Sequence, residues 1–182
     1  YKNRWAAAYG YAGMAFSHAA LAEWTWNLNG RSQRDFAISW AIRQGCEKPE
    51  VFADWVERIG ILNEDMYPSW VHSRLGLRAM TKKIESGGSS FGHVDNRDRK
   101  LVMAREAVVL ADELQKEELI TESRQALAFF RLLDAAARLA ETVSVEKPLT
   151  QKKTEVEDAM KNLEKAVAGM KEVDGKTEFN ET

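Results

Sequence analysis

One short stretch of the sequence brings together side chains that could bind a sugar: Glu23, Trp24, Trp26 and Asn27. An indole can cover the apolar C–H face of a sugar ring, while a carboxylate accepts hydrogen bonds from the hydroxyl groups. We therefore predict that these four residues contact a carbohydrate. In the alternative interpretation both Trp belong to the hydrophobic core, because Trp is usually mostly buried, and Glu23 pairs with Arg31 or Arg34.

The motifs of several enzyme classes are missing from the chain. It has no Gly-x-Gly-x-x-Gly, phosphate loop, His-Glu-x-x-His or Gly-x-Ser-x-Gly sequence. The three histidines, His18, His72 and His93, stand far apart and lack the spacing of metal ligands. We predict no catalytic residue, no metal site and no cofactor.

Composition limits the classes of partner. Of the 182 residues 45% are hydrophobic and 30% are charged, which is typical of a soluble globular protein. The net charge of −2 does not favour nucleic acid, and we interpret the basic residues around the Gly/Ser-rich stretch as a solvated surface.

No apolar run approaches the roughly 18 residues of a membrane span. The single Cys46 excludes an internal disulfide, and nothing in the sequence indicates a compartment. The chain begins at Tyr1 without a signal-peptide pattern, so we expect a piece of a longer protein.

Composition also changes along the chain. All six Trp fall within the first 70 residues, and residues 85–93 are rich in Gly and Ser. We predict four parts: a Trp-rich helical part (1–85), a Gly/Ser-rich loop (86–95), a three-helix bundle (96–175) and a frayed tail (176–182).

The Trp-rich part is predicted to be helical throughout. Residues 4–24 carry large or apolar side chains at helical spacing, although residues 13–17 alone could form a buried strand. Ser32 and Asp35 form a capping pattern for a helix over 33–44, with Gly45 after its end. The next helix should begin at Pro49, bury Trp55 and end at Gly60. Another helix is expected over 69–85, after Pro68.

The back part is predicted to contain three long amphipathic helices, over 96–116, 118–145 and 150–172. Their connections are short and their apolar stripes are wide, which favours packing against one another as an antiparallel bundle. The alternative is a coiled coil that binds a partner. The fold class is therefore mainly all-α, with a Trp-rich helical front part followed by an antiparallel three-helix bundle.

Residues 13–27 (GMAFSHAALAEWTWN), 29–32 (NGRS), 36–37 (FA) and 40–41 (WA) resemble the C-terminal region of bacterial glycoside hydrolases similar to family-twenty β-N-acetylhexosaminidases. The resemblance covers roughly residues 5–70. In that family the catalytic (β/α)8 barrel gives way to a helical region at its end, and its last strand offers a Trp and a Glu to the sugar. Glu23 and Trp24 match these types in reversed order.

The resemblance implies a non-catalytic C-terminal helical part of a carbohydrate-active protein. This part would contribute sugar contacts and stability beside an upstream catalytic domain of the same protein. The family's paired Asp-Glu has no counterpart in this chain, so catalysis by the chain alone is not expected. The alternative hypothesis is a helical interaction or scaffold module without a small-molecule site.

Overall fold

The computed structural model describes residues 11–27, 30–71, 96–144 and 149–175. All regular secondary structure in these ranges is α-helical, which confirms the predicted all-α class. The helices are α1 (Tyr11–Trp26), α2 (Gln33–Arg43), α3 (Pro49–Val71), α4 (Arg97–Leu114), α5 (Glu117–Ser144) and α6 (Leu149–Gly175). In the part of the chain just described, no helix is both long and apolar enough to cross a membrane.

Helix α2 begins and ends where its sequence signals predict. The Ser32 Oγ accepts a hydrogen bond from the Asp35 N–H at 3.1 Å and donates one to the Asp35 carboxylate at 2.6 Å. At the other end Gly45 has φ +68°, a conformation that costs glycine little. The N–H of Gly45 donates to the Ile42 carbonyl and that of Cys46 to the Ala41 carbonyl, which together form a Schellman motif.

Helix α3 is longer than predicted, and the expectation that it ends at Gly60 is wrong. Gly60 is buried in the middle of a 23-residue helix that also includes Pro68. The expected stop is overridden because packing stabilises the helix around Gly60: Ile59 and Leu62 on either side are 2% and 0% exposed. The separate helix predicted over 69–85 is contradicted at its start, and its remainder lies outside the described residues.

Helices α4 and α5 are antiparallel neighbours joined by a two-residue turn. Gln115, directly after α4, adopts φ 53°. Ion pairs between the two helices show that they are antiparallel. Asp98 near the start of α4 pairs with Arg138 near the end of α5 at 3.7 Å, and Asp112 near the end of α4 pairs with Arg124 near the start of α5 at 3.7 Å. The three predicted back helices are thus present, with bounds that differ by a few residues from the expected ones.

The chain divides into two compact units. One contains α1, α2, α3 through Tyr67 and Val102–Ala126; of the described residues, the other contains the end of α3 from Pro68, α4 through Leu101, α5 from Leu127 and α6. The predicted loop (86–95) and tail (176–182) lie outside the described residues, so those boundaries stay predictions.

The first unit has a core built on aromatic rings and alanines. Phe36, Phe52 and Trp55 are buried, and the ring of Phe16 lies 5.6 Å from that of Phe36 and 5.8 Å from that of Phe52. On α4, the fully buried residues are small: Ala104, Ala107 and Ala111. Small residues let helices approach closely, so this face brings α4 near its neighbours.

The second unit is covered less completely. Phe130 and Ala137 on α5 are fully buried. On α6, by contrast, none of the side chains described is buried: Val156, Leu163 and Met170 are half-buried, while Met160 and Val167 are exposed. Its apolar stripe is therefore only partly covered.

Candidate functional site

The four predicted sugar-binding residues lie at the C-terminal end of α1. Three of them, Glu23, Trp26 and Asn27, line one open concavity of about 400 Å³ in the first unit. Its other walls come from α1 and α2: Ala19, Ala22, Phe36, Trp40 and Arg43. Trp24 is not among the lining residues.

Glu23 is held in place by an ion pair. The Arg31 Nε donates to the Glu23 carboxylate at 3.2 Å, and the Glu23 side chain is 20% exposed. The Arg31 guanidinium also lies over the ring of Phe36, 5.9 Å from its centroid. This is the pairing expected in the core interpretation. It fixes the carboxylate at the wall of the concavity but leaves it little net charge to offer a ligand.

Trp24 packs inward. It is half-buried, and its ring lies 5.3 Å from that of Phe36. Phe36 connects it to Phe16, and the ring of Phe16 meets that of Trp40 edge to face at 5.4 Å. Tilted and edge-to-face pairs of this kind add stability beyond area burial. Trp24 therefore supports the wall from behind.

Trp26 and Asn27 point outward. Trp26 is 90% exposed, although it is the last residue of α1, which continues two residues beyond the predicted exit at Trp24. The Asn27 N–H continues the helical pattern by donating to the Glu23 carbonyl, and the Gly30 N–H donates to the Asn27 carbonyl at 3.0 Å. A methyl group on Gly30 would lie 3.0 Å from the Asn27 carbonyl oxygen, so glycine suits this turn.

The described walls of the concavity combine an exposed indole with polar side chains. An exposed indole offers a flat apolar face, and the Asn27 amide and the Arg43 guanidinium supply hydrogen-bond donors. Glycoside hydrolysis uses two carboxyl groups across the bond, and among the described residues Glu23 is the one acid that lines this concavity.

Arg43 and Trp40 were not predicted as site residues. Both lie within the helix predicted over 33–44, and neither was given a role in binding. Their spacing of three places them on one face of α2, and the antiparallel turn at Gly30 brings that face beside Glu23. The spacing of Trp40 and Arg43 is visible in the sequence. It indicates a shared site with Glu23 only once the direction of the turn at Gly30 is known.

A buried polar pair elsewhere in the first unit was also missed. The Trp55 indole N–H donates to the Ser123 Oγ at 2.8 Å, and the Ser123 hydroxyl donates to the Leu119 carbonyl at 2.7 Å. Trp55 is 2% exposed and Ser123 is 0% exposed. The closed hydrogen-bond chain satisfies every donor in it, which identifies it as structural.

The second unit contains a network of ion pairs centred on Asp134. The Asp134 carboxylate lies 3.2 Å from the Arg97 Nε and accepts a hydrogen bond from the Arg138 Nε at 2.8 Å. This hydrogen bond and the negative charge of Asp134 raise the pKa of Arg138. Arg97 also donates to Glu141 through both terminal nitrogens. The network fixes α4 to α5, and the described residues contain no cluster of three potential metal ligands.

No known protein family, curated protein or solved structure matches the chain. The resemblance to the family-twenty hexosaminidases therefore remains a prediction, together with everything it implies about activity and partners.

Proposed function

We propose that the chain is a non-catalytic helical module of a carbohydrate-active protein and that it binds sugar in the concavity at the end of α1. The observation that carries the proposal is the 90% exposed indole of Trp26 beside the Glu23 carboxylate and the Asn27 amide. Water interacts weakly with the apolar face of an indole. A sugar ring that covers this face would release ordered water, while the hydroxyl groups of the sugar keep polar partners.

The residues that surround the Trp26 indole are held in place by packing and by an ion pair. Phe36 is 2% exposed, Glu23 is tied to Arg31, and Trp24 packs against Phe36. Preorganised contacts lose less entropy when a ligand binds. In the proposed protein this module sits beside an upstream catalytic domain, as the resemblance implies, and adds sugar contacts and stability.

The test is a titration of the full chain with N-acetylglucosamine, monitored by the indole N–H signals in NMR and by Trp fluorescence. Binding should shift the Trp26 signal and leave that of Trp55, which is 2% exposed, in place. Trp26→Ala should weaken binding roughly fivefold or more, as for other exposed aromatic anchors. It should change stability by less than about 0.5 kcal/mol because it removes no packing.

Leu21→Ala is the matched control for that variant. Leu21 is another exposed apolar residue of α1, 50% exposed, and does not line the concavity. It should leave binding unchanged. Absence of any shift with N-acetylglucosamine, or equal loss in the Leu21 and Trp26 variants, would contradict the proposal.

The second candidate function is a helical interaction or scaffold module. Two further exposed apolar residues of the first unit favour it, Leu21 at 50% and Ile42 at 60%. Under this hypothesis sugars leave all indole signals unchanged, whereas Ile42→Ala and Leu21→Ala weaken association with the protein partner.

A further inference from the structure

Among the described residues, one of the two charged side chains that line the concavity has no ion-pair partner. Glu23 is the one acid among the described residues of its wall, and Arg31 already pairs with it at 3.2 Å. Arg43 is the other charged lining residue, and within the described ranges no Asp or Glu lies within ion-pair distance of its guanidinium. The concavity therefore carries one uncompensated positive charge.

The hydrogen bonds around Arg43 leave its ligand-binding edge open. Its Nε donates to the Ser39 carbonyl within its own helix at 3.3 Å. Among the described residues no hydrogen-bond partner is found for Nη1 or Nη2, the pair of nitrogens that can bind both oxygens of a carboxylate. The Nε hydrogen bond therefore orients the guanidinium and leaves its two terminal nitrogens available to a ligand.

Capping of the helix end does not account for Arg43. A basic side chain in the last turn often hydrogen-bonds the free carbonyl groups there. In α2 three of those carbonyls already have backbone donors: the Gln44 N–H donates to Trp40, the Gly45 N–H to Ile42 and the Cys46 N–H to Ala41. Beyond its own hydrogen bond to the Ser39 carbonyl, Arg43 gains from the helix end the weak attraction of the helix dipole, which solvent screens.

We propose that the sugar bound in this concavity is acidic, a uronate or a related carboxylated sugar, and that Arg43 recognises its carboxylate while Trp26 covers the ring. This inference rests on the proposed function, because it names the substrate class of the same site. The Asn27 amide then faces hydroxyl groups, and Glu23 stays with Arg31.

The experiment compares methyl β-D-glucoside with methyl β-D-glucuronide, which differ only in the group at the sixth carbon. Both are titrated into the full chain and followed by the Trp26 indole signal. The glucuronide should bind about threefold to tenfold more tightly, the range expected for a charge-assisted contact at a solvent-exposed site. The preference should shrink as salt rises toward 1 M, because screening weakens an exposed ion pair.

Arg43→Gln should reduce the ratio of the two dissociation constants to about one, and Arg43→Lys should retain part of it because the charge stays while the paired nitrogens are lost. Arg105→Gln is the control, because Arg105 is an exposed arginine of the same unit that does not line the concavity. It should keep the full preference.

The outcomes separate the two proposals. Equal binding of both glycosides, or a preference that survives Arg43→Gln, overturns the acidic-sugar inference and leaves the sugar-binding module standing. Failure of both glycosides and of N-acetylglucosamine to move the Trp26 signal overturns the proposed function and the inference with it.

Discussion

Replacing Ser123 with Ala tests how much the buried Trp55–Ser123 hydrogen bond stabilises the first unit. The change removes the Oγ that accepts from the Trp55 indole at 2.8 Å, in a position that is 0% exposed. The indole N–H then has no partner and no access to water. The Leu119 carbonyl loses only a second donor, because it remains in the helical hydrogen-bond pattern of α5.

The magnitude follows from two opposing terms. An unsatisfied buried donor costs about 1–3 kcal/mol. Alanine is a better helix former than serine by roughly 0.5 kcal/mol, which offsets part of the loss. We expect a net destabilisation of about 1–2 kcal/mol, equivalent to a fall in Tm of about 2–8 °C for a chain of this length.

The assay is chemical and thermal unfolding followed by circular dichroism at 222 nm, supported by hydrogen exchange of the Trp55 indole. The control is Ser39→Ala. Ser39 makes the same bond to the carbonyl four residues earlier, Asp35, at 2.8 Å, but on an exposed surface and without an indole partner. It should stay within about 0.5 kcal/mol of the parent. If Ser123→Ala is as mild as Ser39→Ala, the buried hydrogen bond contributes nothing net and our reasoning is refuted.

Two residues with positive φ give substitutions of opposite sign. Gly45→Ala should destabilise by about 1 kcal/mol, because an L side chain at φ +68° is strained even though no atom lies within 4 Å of the new methyl group. Gln115→Gly should stabilise by up to about 1 kcal/mol, because glycine relieves the φ of 53° directly after α4. Guanidinium denaturation measures both, and shifts of the same sign in the two variants would contradict the conformational argument.

Local signals in the sequence placed α2 accurately and failed on α3. At α2 the signals and the packing agree, since Ser32 caps one end and Gly45 the other. At α3 the local signal and the packing conflict. Gly60 suggests a helix end, but a glycine weakens a helix by only about 1 kcal/mol. Ile59 and Leu62, at 2% and 0% exposed, hold that turn in the core. Burial energy is a property of the assembled unit, so periodicity in one segment could not reveal it.

The buried face of α5 shows the same limit on a finer scale. Apolar periodicity does not mark Ser123 as a core position, yet Ser123 is 0% exposed. Its partner Trp55 lies on another helix, which local reasoning does not reach.

The candidate site divides along similar lines. Residue types alone brought Glu23, Trp26 and Asn27 together, and these three do share a concavity. They could not show that Trp24 turns inward toward Phe36, nor that Arg43 joins the wall from α2. Both facts depend on the direction in which the chain returns after Gly30.

Partial burial of α6 lowers the cost of detaching it from its unit. None of its described side chains is fully buried, and the Lys153–Glu157 ion pair at 3.9 Å lies within the helix itself. Such a segment opens at a free energy well below that of global unfolding. Transient detachment of this 27-residue helix would expose the surface of α5 in the same unit and would leave the aromatic core of the other unit folded.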